Sequence, residues 1–143
     1  MADDGTVKIT DFGVSHIFDG DDDTLGYSAG SPAFLAPELC TQGFKCVASG
    51  KAVDIWASGI TLYHMLVGHV PFMNHNNNLL QLYDSIRLDP VTIPDHISPE
   101  PRELLIHLLD KDPKTRYTIP QVMVGILSPD FVFLLSLFLL LSI

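Results

Sequence analysis

Asp11, Phe12 and Gly13 follow an alternating stretch and set a carboxylate, an aromatic ring and a flexible glycine in succession at a strand end. Hard cations such as Mg²⁺ take oxygen ligands, and Asp11 can offer one. Alone, D-F-G is weak, because three residues recur by chance and Asp before a turn is ordinary. The loop beyond it, Val14 to Leu35, carries the acidic run Asp19, Asp21, Asp22 and Asp23 and the hydroxyls of Thr24, Tyr27, Ser28 and Ser31. The acidic run reads as solvated surface. Thr24, Tyr27 and Ser28 are candidate phosphorylation sites, since a phosphate orders such loops by pairing with Arg. Plain loop hydroxyls are the competing reading. The loop then tightens into GSPAFLAPE, Gly30 to Glu38, with Glu38 at a helix start.

Other chemistries fit poorly. Cys40 and Cys46 are spaced C-x5-C, which matches no common zinc or redox signature, so both are read as reduced thiols of a cytoplasmic protein. The six histidines show no metal-ligand spacing. A formal net charge of −9 argues against a nucleic-acid partner, which demands clustered Lys and Arg. The only arginines are Arg87, Arg102 and Arg116.

The element that must position these groups is a helix over Lys51 to Val67, KAVDIWASGITLYHMLV. Its apolar residues fall on nearly every side, which places it in the middle of a domain. Ala52, Ala57, Ser58 and Gly59 leave room for close neighbours, and Gly68 stops the helix. Asp54, near its start, needs donors aimed at it, because an unpaired buried charge is costly. Around this rod the sequence predicts an Asp4-Gly5 turn with a strand carrying Val7 and Ile9, an inward Phe72, and a polar loop over Asn74–Asn78. It further predicts short helices over Leu79–Ile86, from Ser98-Pro99 onward and from Thr118 to Met123. Leu104, Leu105, Ile106, Leu108 and Leu109 are expected to form the buried side of the second of these. With 143 residues at 47% apolar and 17% charged, the chain suits one domain.

D-F-G at 11–13, A-P-E at Ala36, Pro37 and Glu38, the Asp54-Ile55-Trp56-Ala57-Ser58-Gly59 helix and then Arg116 resemble the C-terminal lobe of a eukaryotic protein kinase. DFGVSHIF, GSPAFLAPE and SGKAVDIWASGITLY look most like the calcium/calmodulin-dependent protein kinase kinases. The resemblance implies a mainly α fold, the kinase C-terminal lobe, with a residual short β element near the N-terminus. It makes residues 1–122 a partial kinase domain and leaves 123–143 as a non-family hydrophobic tail. It implies ATP and Mg²⁺ as cofactors, with Asp11 the Mg²⁺ ligand, Phe12 packing to set its position and Gly13 the hinge. Gly30, Ser31 and Pro32 match the loop that receives the residue next to the phosphorylated hydroxyl. Glu38 and Arg116 resemble a buried ion pair that staples the activation segment to the lobe. Asp54 resembles a carboxylate that accepts catalytic-loop backbone N–H groups. The implied partners are a protein substrate, itself a kinase, and calmodulin through a segment outside this chain.

The chain contains no glycine-rich phosphate loop, no V-A-I-K-type lysine and no H-R-D-x-x-x-x-N loop. It is therefore expected to be a fragment that is inactive by itself. One flank of Trp56, Ile60 and Tyr63 is expected to lose its cover, because the family's preceding long helix is missing. The tail, Phe131 to Ile143, is shorter than the ~20 residues of a membrane span. Extending it back to Val122 includes Asp130, which costs about 2.5–3.5 kcal/mol at the bilayer centre. A membrane is not an expected partner. The alternative reading is a non-catalytic lobe that binds kinase partners, and a third reading is the same lobe tethered to a membrane by Phe131–Ile143.

Overall fold

In the computed structural model the structure describes residues 12–18, 20, 22–26, 30–40, 47–73 and 78–125. The predicted Asp4-Gly5 turn and strand, Asp11, Tyr27, Ser28, Cys46, Asn74–Asn77 and the Phe131–Ile143 tail lie outside the described residues. The fold is mainly α, with a small two-stranded sheet.

Helix α1 spans Gly50–Val67. Its extended N-cap, Ser49, accepts the Ala52 N–H at 3.3 Å, which satisfies one of the orphan donors of the first turn. At the other end Gly68 takes φ 89°, a left-handed conformation that glycine reaches without steric cost, and donates its N–H to the His64 carbonyl at 2.8 Å. At 1.5 Å per residue these 18 residues make a rod of about 27 Å.

The remaining elements pack around it. Helix α2 (Leu79–Leu88) starts at Asn78, whose side chain accepts the Leu80 and Gln81 N–H groups, and turns Leu82 and Ile86 inward at i, i+4 spacing. Helix α3 (Pro99–Leu108) begins with Pro at its first position. It lies closest to α1 where Gly59 has no side chain: a Cβ there would sit 2.7 Å from Leu109 and 2.9 Å from Leu108. Helix α4 (Ile119–Gly125) opens with Thr118, whose N–H and hydroxyl both donate to the Gln121 side-chain carbonyl, at 2.9 and 2.8 Å. Between α2 and α3 the connector is tied down twice. The Tyr63 hydroxyl donates to the Thr92 carbonyl at 2.8 Å, and Arg102 donates to the carbonyls of Ile93 and Pro94. Strands β1 (Thr24–Leu25) and β2 (Ala48–Ser49) pair antiparallel, Thr24 opposite Ser49.

Two expectations are corrected. Trp56, Ile60 and Tyr63 are not uncovered: Trp56 and Ile60 are fully buried and Tyr63 is buried. Phe72 stacks on Trp56 with ring centres 6.2 Å apart, and α3 packs along the same helix. The less covered face of α1 instead runs through Asp54, Ala57, Thr61, His64 and Met65. Ile106 is exposed, because helical periodicity turns Leu104, Leu105 and Leu108 toward α1 and Ile106 away. Ser98 stands at the N-cap of α3 as expected, in extended conformation and without a side-chain capping bond.

Candidate functional site

Ala36, Pro37 and Glu38 fold because prolines at 32 and 37 pre-set φ for two successive 3₁₀ turns, Pro32–Phe34 and Pro37–Leu39. The second turn is sunk in the core, with Ala36, Pro37, Leu39 and Cys40 all buried. Its one charge, Glu38, meets Arg116. The guanidinium donates to both carboxylate oxygens, Nη1 to Oε1 at 2.8 Å and Nη2 to Oε2 at 2.9 Å. Its other N–H groups reach the carbonyls of Ala52 (2.7 Å), Asp110 (2.9 Å) and Lys111 (3.5 Å). All five guanidinium N–H groups thus have acceptors, as a buried cation requires. The Arg116 side chain is 0% exposed and that of Glu38 only 13%. One face of the guanidinium stands 5.2 Å from the Trp56 ring. This clasp joins the P-E turn, the first turn of α1 and the loop after α3.

Beside it, a hollow of about 200 Å³ opens between α1 and the Gly30–Pro32 loop, walled by Val14, Phe34, Val53, Asp54 and Ala57 among others. Gly30 turns the chain with φ 103°, which disfavours any side chain there. Ser31 then accepts the Phe34 N–H at its carbonyl, 3.0 Å, as the Pro32–Phe34 turn begins. Asp54 faces this hollow and has no hydrogen-bond partner among the described residues. Water reaches the carboxylate, yet the surrounding protein still removes enough solvent to push its pKa up.

Phe12 stands 59% exposed rather than packed, with only the Ser15 N–H and hydroxyl donating to its carbonyl, at 3.2 and 2.8 Å. No described element covers it. Gly13 is exposed in the same turn. Thr24 lies in β1, with its N–H donated to the Asp22 carboxylate at 3.0 Å. Among the described residues no group of three or more His, Cys, Asp or Glu side chains could hold a metal ion. Asp11, the expected Mg²⁺ ligand, lies outside the described residues. Cys40 is a buried thiol whose S–H points to the Leu35 carbonyl at 4.0 Å, and no described helix is long and apolar enough to cross a membrane.

Two groups were not legible as site residues. Lys111 tucks its ammonium 4.0 Å from the Phe72 ring centre and 5.2 Å from that of Trp56, and donates to the Ile86 carbonyl. Burial lowers its pKa to about 8, against the pull of Asp89. Asp23, one member of a run that reads as solvated, is bonded to the start of α1. A lysine in a K-D-P-K-T-R loop carries no signal for the first. For the second, the only hint is Ser49 standing just before a helix.

The protein kinase domain family matches residues 1–125, and the chain belongs to that family. It is 51% identical over 118 residues to a "probable serine/threonine-protein kinase" of Dictyostelium discoideum, which covers 82% of this chain and 17% of that protein. It is 47% identical over 118 residues to a serine/threonine-protein kinase of Arabidopsis thaliana, 82% of this chain and 28% of the relative. It is 42% identical over 126 residues to the calcium/calmodulin-dependent protein kinase kinase of Caenorhabditis elegans, 87% and 23% respectively. The chain thus spans less than a third of the length of these curated relatives.

Proposed function

We propose that this chain is the activation segment and helical lobe of a serine/threonine protein kinase that moves the ATP γ-phosphate to a Ser or Thr hydroxyl of another kinase. The Glu38–Arg116 clasp carries the reading. A fully bonded buried pair costs desolvation and is weak evidence for stability alone. Here two of its bonds grip Glu38, at the end of the segment that begins at Gly30, and a third ties the same guanidinium to α1 at Ala52. Phosphoryl transfer is catalysed almost wholly by positioning and electrostatics, so a fixed acceptor-side loop is what this half of the machinery must supply. Gly30, Ser31 and Pro32 line the approach of the acceptor hydroxyl, and Asp54 takes N–H donors from a catalytic loop seated in the adjoining hollow. Asp11 would hold Mg²⁺, which would supply charge neutralisation on the phosphates. Calmodulin acts on the intact protein through a segment outside these residues.

By itself the 143-residue chain transfers no phosphate, because it carries no H-R-D-x-x-x-x-N loop and no V-A-I-K-type lysine. The test is a chimera in which residues 6–122 replace the matching segment of the nematode kinase. Phosphorylation of the nematode enzyme's protein substrate by the chimera, lost in Asp11→Asn, supports the reading. A folded chimera without transfer refutes it and favours a non-catalytic lobe.

A further inference from the structure

Asp23 turns onto the first turn of α1. Its carboxylate accepts the Ser49 hydroxyl and, at 3.0 Å, the Lys51 N–H, while its backbone carbonyl accepts the Gly50 N–H at 2.8 Å. Thr24 and Leu25 then continue as β1 against β2. A few residues earlier the Phe18 ring lies on Gly50, so close that a Cβ on that glycine would stand 2.6 Å from the ring. His16 meets the Phe18 ring edge-on, with ring centres 4.9 Å apart. The first N–H groups of a helix have no partner within it and carry partial positive charge. A carboxylate delivered from a distant segment satisfies one of them and is itself favoured there.

We propose that Phe18 and Asp23 form a strap that fastens the segment ahead of the Gly30–Pro32 loop to the first turn of α1, opening and closing as one unit. The aromatic seat and the carboxylate bonds meet the same helix turn from neighbouring positions, and neither closes fully while the other is lifted. The Ser49 hydroxyl and the Lys51 amide hold the Asp23 carboxyl below the usual carboxylate range, as a bonded rather than a solvated acid requires. With the clasp behind it, the strap tethers the loop carrying Thr24 and Ser31 at both ends. The strap is built from the described contacts alone and stands apart from the phosphotransfer reading.

Residue-resolved amide hydrogen exchange on the intact chain tests this with Asp23→Ala, Phe18→Ala and the double variant. Phe18→Ala removes the ring from Gly50 and leaves Asp23 and the first turn of α1 chemically unchanged, whereas a Cβ on Gly50 would also crowd the Asp23 carbonyl at 3.3 Å. The Gly50 and Lys51 amides should exchange about tenfold faster in each single variant. The double variant should be no faster than the quicker single, because a strap already open has nothing further to lose. The Gly68 amide, bonded to His64 at the far end of α1, should keep its wild-type rate. Unchanged exchange at positions 50 and 51, or effects that multiply in the double variant, would overturn the strap. If Asp23→Ala also loosens Gly68, Asp23→Asn must reproduce the local loosening with Gly68 protected, and its failure to do so counts equally against the proposal.

Discussion

The Lys111 ammonium sits 4.0 Å from the centre of the Phe72 ring, in a junction where that ring also stacks on Trp56. Attraction to the ring faces does not offset what burial takes away, for the pKa falls from 10.5 to about 8. Below about 8 both folded and unfolded chains hold the proton, and the cost of burying the charge is carried in full. Between about 8 and 10.5 the folded chain releases a proton that the unfolded chain keeps, so stability contributed here rises with pH across that window. Tyr63, whose pKa is raised by burial, pulls the other way at the upper end. The difference in urea midpoint between wild type and Lys111→Met isolates the lysine. It should change across pH 8–10.5 and stay flat from pH 6 to 7.

Removing either half of the clasp strands the other. Glu38→Ala leaves a buried guanidinium without its counter-charge, and Arg116→Ala leaves a carboxylate and several carbonyls without donors. Each should cost about 3–5 kcal/mol. Arg116→Lys should recover little, since an ammonium offers no planar fork to span both Glu38 oxygens. Urea unfolding followed by the fluorescence of Trp56, the single tryptophan, measures all three.

Glycine to alanine inside a helix ordinarily stabilises by about 1 kcal/mol. At Gly59 the sign should reverse. The added methyl group would stand within 3.0 Å of both Leu108 and Leu109, forcing α3 away from α1 at a cost of about 1–3 kcal/mol. Thermal melts of Gly59→Ala against wild type read the sign directly.

Asp54 carries a charge that the folded chain solvates less well than the unfolded one. Its raised pKa means that the folded state binds the proton more tightly, so its contribution to stability is best below the unfolded value of 3.8 and is lost as pH rises through the folded value. Asp54→Asn should therefore stabilise the chain at pH 7, with the gain vanishing toward pH 3. Paired chemical denaturation curves at the two pH values read this directly.

How much was visible in the sequence follows from how local each signal is. The Gly50–Val67 helix and its Gly68 stop were legible because an apolar run and its terminator lie within one stretch. The inward Phe72 was legible for a similar reason, since a turn with proline leaves its aromatic residue little choice. Ile106 was misplaced because five neighbouring apolar residues exceed what one helix face can bury, and only the partner helix decides which is left out. The covered flank of Trp56 went unseen because Phe72 and Lys111 reach it from far along the chain. Glu38 and Arg116 stood out only through resemblance, for no pattern in one dimension pairs residues so far apart. Asp23 was lost among identical neighbours that differ from it only in position.

The clasp joins positions 78 residues apart. A contact so remote in sequence closes late, after the entropy of the intervening loop has been surrendered. During synthesis the Glu38 turn and the whole greasy length of α1 leave the ribosome before Arg116 has been translated. Until those last residues arrive, the half-made lobe presents bare apolar surface and an acid without its cation, the condition under which nascent chains depend on chaperones.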